Sequence, residues 1–221
     1  MWFLKSQTTD VILFYSGGKD SLCLLDMLTK YGFNVHCCFM YMVKGLEHID
    51  KYLNYARDKY KVEVLELPHF NLTSYINSSY YTFPRKEPLP VIKQVDVERA
   101  ARKHFNCEWV VYGSKASDSM IRNFMMKSYL LNSIHDNSKH AYPLSAWKMA
   151  DVVDYNKKNN LPTPINYDVK TRSSGLGLDG KVLLYLQKNY PQDLKKILEV
   201  FPFAEALIYE TTNATNQTPK I

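Results

Sequence analysis

The stretch from Val11 to Leu28, VILFYSGGKDSLCLLDML, constrains the chain more than any other part of it. Apolar and aromatic residues run into Ser16-Gly17-Gly18-Lys19-Asp20-Ser21, and an apolar, helix-prone segment follows at once. That order reads as a strand, a tight turn and a helix N-terminus. Two adjacent glycines after a strand ordinarily mark a turn and nothing more. Set between a buried strand and a buried helix, the hexapeptide instead has the makings of an anion site. Gly17 and Gly18 admit backbone angles closed to other residues and keep side chains away from a phosphate. The unpaired amides of the first helical turn point toward such a ligand, with the helix dipole behind them. Lys19 adds a full charge, and Ser16 and Ser21 offer hydroxyls. A Walker A loop is excluded, because no glycine precedes Gly18 at the spacing GxxxxGK[ST] requires.

Downstream the alternation continues. The helix after the loop spans about Asp20 to Lys30 and stops at Tyr31-Gly32, a glycine C-cap. Asn34 to Val43 is a near-continuous apolar run, as in a strand covered on both faces. Gly45 opens a helix carrying Leu46, Ile49, Leu53, Ala56 and Tyr60 at helical spacing, and Val62 to Leu67 is a third strand. Strands and helices in this order call for a parallel sheet with right-handed crossovers. Ligands of such sheets sit beyond the carboxyl ends of the strands, where the SGGKDS loop falls.

Pro68 to Pro90 mixes Tyr75, Tyr80, Tyr81 and Phe83 with Asn, Ser, Arg85 and Lys86. It reads as a surface excursion, either an insert suited to bases and phosphates or a packed loop. Val95 to Phe105 is a helix with Val97, Ala100, Ala101 and Phe105 inward. The strand from Glu108 to Tyr112 then leads into Gly113-Ser114-Lys115-Ala116-Ser117-Asp118-Ser119-Met120-Ile121-Arg122. This second loop puts glycine, small polar residues and two cations at the same sheet edge, with Ser117 or Asp118 as N-cap of the next helix. Ser145 is placed to cap the helix that runs through Tyr155.

The first loop resembles the SGGxDS loop of the PP-loop ATP pyrophosphatase superfamily, whose members grip the pyrophosphate part of ATP. The second is similar to the G-x-(R/K)-x-x-(D/Q)-S-x-x-R pattern of PAPS reductase-like proteins, with Lys115 and Arg122 at its basic positions. Tyr142-Pro143-Leu144 through Tyr155, followed by Leu161-Pro162 and Tyr167-Asp168, is similar to the PL-x-x-W-x-x-x-D-V-x-x-Y and LP-x-x-x-x-YD signature of the same group. The resemblance implies an α/β fold, a doubly wound and mainly parallel sheet, over residues 1–168. A helical elaboration follows at 169–210, and the polar composition of 211–221 reads as a disordered tail. The resemblance further implies ATP and Mg2+ as ligands, ATP being split to AMP and pyrophosphate so that a substrate is adenylated for attack by a nucleophile. Lys19, Lys115 and Arg122 are then the catalytic set. Ser16, Gly17, Gly18, Lys19, Asp20, Ser21, Phe39, Tyr41, Gly113, Ser119 and Arg172 form the nucleotide set, and Asp20 is the magnesium contact.

Cysteine usage is where the chain departs from its relatives. Many of them hold paired cysteines where Lys170 to Leu178 stand here, and the reductases add a C-terminal Glu-Cys-Gly motif; this sequence has neither. Its four cysteines, Cys23, Cys37, Cys38 and Cys107, show no CxxC and no zinc spacing and read as small buried hydrophobes. Reduction of a sulfonucleotide needs an accessible thiolate, so a reductase would depend on an external thiol. A third reading is a nucleotide- or nucleic-acid-binding module without turnover.

Composition bounds the rest. The 221 residues, 46% of them hydrophobic, suffice for one substantial core. A net charge of +6 favours anionic partners, which an adenine nucleotide and a nucleic-acid acceptor would satisfy equally, so the charge decides nothing between them. Lys5 to Asp10 cuts short the apolar start, and no segment approaches a bilayer span, so a cytoplasmic location with no membrane partner is expected. Lys181 to Asn189 and Gln192 to Val200 read as two helices split by Pro191, which cap the sheet or pair the chain with a second copy as a homodimer.

Overall fold

The computed structural model describes residues 1–162 and 178–216. A six-stranded sheet organises them: β1 (Asp10–Phe14), β2 (Asn34–Tyr41), β3 (Val64–Pro68), β4 (Val110–Val111), β5 (Ile134–His135) and β6 (His140–Ala141), in the order β3-β2-β1-β4-β6-β5. β3, β2, β1, β4 and β6 are parallel, and β5 pairs antiparallel with β6 at the edge. The α/β fold and its mainly parallel sheet follow from the strand-helix alternation. The strand order reverses beside β1, so β1 and β4 diverge there to neighbours on opposite sides. That crevice is where such sheets take ligands.

Helix α1 (Trp2–Gln7) precedes the sheet and buries Leu4 completely, a short element for which the sequence carried no cap or period. Helix α2 (Lys19–Lys30) follows β1 and ends as expected, with Gly32 in the left-handed region and its amide on the Thr29 carbonyl. α3 (Glu47–Tyr60) joins β2 to β3. Leu22, Leu25, Leu28, Leu53, Ala56 and Val152 close one face of the sheet. The other face is covered chiefly by α5, and the two adjacent cysteines of β2 divide between the faces, Cys37 to the first and Cys38 to the second.

Between β3 and α5 the chain forms α4 (Leu72–Asn77), a helix inside the stretch expected to be irregular. α5 (Gln94–Phe105) buries Val97 and Ala101 but exposes Ala100, contrary to the periodicity, and turns Glu98 inward instead. The reason is a set of partners. Glu98 accepts hydrogen bonds from the Tyr112 hydroxyl at 2.6 Å and Gln94 at 3.1 Å and meets His140 at 2.8 Å, which offset the cost of burying a carboxylate. α6 (Met120–Lys127) is capped by Ser119, one residue beyond the two candidates, through a 3.2 Å bond from the Arg122 amide. α7 (Met149–Lys158) begins at Lys148, whose amide donates to Asp151 at 2.7 Å. Ser145, the expected cap, is buried, and its carbonyl accepts from the Ala116 amide instead.

The chain closes with α8 (Gly180–Asn189), α9 (Pro191–Val200) and α10 (Glu205–Asn216). α10 runs through residues 211–216, the start of the tail expected to be disordered. Gly180 lets α8 approach it, since a Cβ there would collide with Thr211 and the Leu207 carbonyl. These helices do not cap the sheet. They surround a core of their own, made of Leu183, Leu186, Leu194, Ile197 and Phe201, which takes in Leu46 just before α3.

Candidate functional site

The loop after β1 turns tightly on its glycines into α2. Tyr15 makes the last ladder bond of the strand, donating to the Cys38 carbonyl at 2.9 Å. Gly17 then turns at φ 71°, and its missing side chain leaves room for Tyr52, whose Cβ lies 3.3 Å from where one would stand. The Ser16 and Ser21 hydroxyls lie 3.2 Å apart, and Ser21 donates to the Gly18 carbonyl at 3.0 Å. Ser21 is buried and fastens the turn, whereas Ser16 is exposed. No described side chain caps α2, whose first turn stands at the carboxyl edge of the sheet.

A chain of alternating charges ties this loop to the second one. Lys19 Nζ lies 2.7 Å from Asp20 Oδ2, and Asp20 Oδ1 lies 2.6 Å from Lys115 Nζ. Lys115 Nζ is 3.0 Å from Asp118 Oδ1, and Asp118 Oδ2 is 3.0 Å from Arg122. The Lys115 amide also donates to Asp118 at 2.8 Å. Burial alone would raise the Asp118 carboxyl, but the Lys115 amide and ammonium, and then Arg122, hold it below the usual carboxylate value. Gly113 lies against the first turn of α2, where a Cβ would come 3.3 Å from the Ser21 nitrogen. The two loops are therefore one surface.

The expected site residues divide on this surface. Arg122, at 48% side-chain exposure, faces solvent, Lys19 is largely enclosed at 13%, and Lys115 is a buried bridge at 3%. Ser119 is exposed at the start of α6, and Phe39 is sealed in the principal core. Tyr41 is partly buried at the end of β2, with Lys44 Nζ 5.9 Å from its ring. Arg172 lies outside the described residues, as do Tyr167 and Asp168. Asn156 went unnoticed in the sequence. From α7 it donates to the Lys19 carbonyl at 3.0 Å and so holds the loop from behind. The one signal was its position four residues after the inward Val152.

Asp20 does not present an open metal position, since each of its oxygens faces an ammonium group. Among the described residues no three His, Cys, Asp or Glu gather. The described residues thus build no protein cage for magnesium, which commonly rests on substrate phosphates and water with one or two carboxylates.

All four cysteines are free and buried. Burial pushes the thiols of Cys23 and Cys38 up to about 12, and raises those of Cys37 and Cys107 as well.

Residues 10–176 match the model of the phosphoadenosine phosphosulfate reductase domain, three quarters of the chain. The chain belongs to that family. Two solved structures share the fold. One is phosphoadenylyl-sulfate reductase from Candida auris in a phosphate complex, at 17% identity and a TM-score of 0.53, covering 78% of this chain and 83% of the other. The second is the U34-tRNA thiolase NcsA from Methanococcus maripaludis with its [4Fe-4S] cluster, at 19% identity and a TM-score of 0.50, covering 90% and 72%. No curated protein sequence matches the chain. Cluster ligation of the NcsA kind does not fit this family member, whose four thiols are divided among α2, β2 and the turn before β4 with no group of three ligands among the described residues. No described helix is long and apolar enough to cross a membrane.

Proposed function

We propose that the protein binds ATP at the open first turn of α2, splits it between the α- and β-phosphates, and transfers AMP to an acceptor oxygen. The observation that carries this reading is the charge network at the carboxyl edge of the sheet, in which Lys19 at the N-terminus of α2 is joined through Asp20, Lys115 and Asp118 to Arg122 of the second loop. The amides and the two outer cations suit a polyphosphate. An acceptor oxygen attacks the α-phosphorus, the P–O bond to the β-phosphate breaks, and pyrophosphate leaves with its negative charge met by Lys19 and Arg122. Chemistry of this kind is carried mainly by positioning and charge neutralisation. Lys115 acts at one remove, holding Asp20 and Asp118 where they orient the outer cations. Sulfonucleotide reduction by the chain's own thiols is disfavoured, because burial keeps all four cysteines protonated at neutral pH.

Pyrophosphate release from ATP and magnesium by the purified protein tests the proposal. Lys19→Ala is expected to lower it by roughly a hundredfold or more. Absence of release, together with tighter binding of phosphoadenosine nucleotides than of ATP, would reverse the assignment.

A further inference from the structure

Beyond the nucleotide site, the segment after β3 presents an exposed aromatic surface. Phe83 is 63% exposed, Phe203 47% and Tyr80 43%. The rings are fixed in place. Phe83 meets Phe203 edge-on with centroids 4.7 Å apart, and Tyr80 leans on Tyr75 at 4.7 Å and on Tyr81 at 4.5 Å. Tyr75 and Tyr81 pack in turn against the C-terminal core, and the Phe203 amide donates to the Tyr81 carbonyl at 3.0 Å. Asn77 clamps the far end of the loop, its side chain bonding both the amide and the carbonyl of Leu89 at 2.8 Å.

That order comes at a conformational cost. Ser79 and Tyr81 hold φ of 57° and 55°, a region that bulky L-residues rarely enter. Strain of this kind persists only where the surroundings over-determine it, and it gathers at ligand clamps. The strain here sits on either side of Tyr80.

Charge narrows the choice of partner. Between Glu66 and Asp96 stand three cations, Arg85, Lys86 and Lys93, against one carboxylate, Glu87. A protein-binding patch concentrates apolar residues and sheds charge at its centre, whereas these rings alternate with Asn, Ser, Pro, Arg and Lys. Rigid exposed rings interleaved with cations match what unpaired bases and their phosphates require. The segment leaves the carboxyl end of β3, and the nucleotide loop leaves the carboxyl end of β1, with β2 between them. Two strand spacings, about 10 Å, separate the two exits along one sheet edge.

We infer that Tyr80, Phe83 and Phe203, with Arg85 and Lys86, form a stacking platform for a single-stranded nucleic acid, the acceptor that the nucleotide site modifies. The assignment as acceptor rests on the proposed adenylation, but the platform is tested by binding alone. Fluorescence anisotropy of labelled oligouridine and oligothymidine of roughly 12 nucleotides would be followed between about 50 and 200 mM salt, the two arms separating RNA from DNA. Phe83→Ala is expected to weaken binding roughly tenfold, and Phe83→Tyr to restore it. Arg85→Ala with Lys86→Ala is expected to flatten the salt slope by about 1.4, at 0.7 per phosphate contact. Turnover is read in Lys19→Ala and oligonucleotide binding in Phe83→Ala, so loss of the proposed adenylation and loss of the platform read out separately. Equal affinity of the parent and Phe83→Ala, or a duplex binding as tightly as the single strand, would overturn the inference.

Discussion

Two helices that follow strands in this sheet begin in opposite ways. α2 opens with no described side chain on its amides. α3 is closed by a residue 146 positions away: Asp193 of α9 accepts from the Glu47 amide at 2.8 Å, the His48 amide at 2.9 Å, and lies 2.7 Å from His48 Nδ1. Both termini carry the same partial charge and the same orphan donors. The difference is what meets them. At α3 the protein supplies its own anion, buried at 1% exposure, and spends it on docking the C-terminal helices. At α2 the first-turn carboxylate, Asp20, is drawn aside between Lys19 and Lys115, and no described side chain takes the place that Asp193 takes at α3.

The largest effect that sharpens this contrast is on stability. Asp193→Ala strands His48 and two amides in the interior and is expected to cost about 3 to 5 kcal/mol in urea unfolding. Lys115→Met leaves Asp20 and Asp118 facing each other and should cost less, roughly 2 to 3 kcal/mol, because both carboxylates reach water at 25% exposure. Their effects on ATP are expected in the reverse order. Lys115→Met weakens binding more than about tenfold, and Asp193→Asn, which keeps one acceptor oxygen and the fold, changes it less than about twofold. Equal losses of ATP affinity in the two variants would erase the distinction between a docking anion and a site network.

How far these two termini could be read in the sequence differs for the same reason. The SGGKDS loop is local: strand, glycines, lysine and helix lie within eighteen residues, and the period of the flanking segments places it. Asp193 was invisible, because a cap supplied across 146 positions leaves no spacing to read. Lys115 was legible as a cation at the right sheet edge but not as a buried one, since burial depends on Asp118 and Asp20 converging on it. Ser145 and Ala100 show the complementary failure. Propensity favoured a serine cap and a buried alanine; the tertiary bond from the Ala116 amide engages Ser145 while Asp151 caps α7 locally, and Tyr112 and His140 draw Glu98 inward. The strand-helix alternation and the two loops at one sheet edge followed from periodicity, whereas the strand order and the short β5 and β6 left no pattern to read. The C-terminal core did not, because its apolar faces meet only in space.

Acid is expected to separate the two carboxylates next. Burial by itself would raise the Asp193 carboxyl, but the amides of His48 and Glu47 and the His48 ring hold it below its ordinary value of 3.8. A carboxyl depressed on folding stabilises the native state fully above the unfolded value, and that contribution drains away as pH falls through the folded one. Stability measured by urea between about pH 3 and pH 6 should therefore fall on the acid side of about 4, and Asp193→Asn should flatten the fall. Asp118, depressed in the same direction but more exposed, is expected to flatten it less when changed to Asn. A fall untouched by Asp193→Asn would mean that the cap is not the acid-sensitive joint.

The smallest effect concerns the helix that stands between the two extremes. α6 starts at the second loop, close to Arg122, and its N-terminus is closed by the Ser119 hydroxyl, an exposed and weaker partner than a buried aspartate. If a capped terminus is structural and only the open one binds phosphate, Ser119→Ala costs the usual price of a lost cap, about 1 kcal/mol. ATP affinity then stays within about twofold of the parent protein, since the amides of α2 are untouched. Ser119→Asp, which keeps the cap and adds charge, would restore the stability but repel a phosphate held by Arg122. A tenfold loss of affinity in Ser119→Ala with stability unchanged would give the hydroxyl to the nucleotide and make α6 a second open terminus. The same titration would then show two helices sharing the polyphosphate, and Arg122, rather than Lys19 alone, would set the affinity.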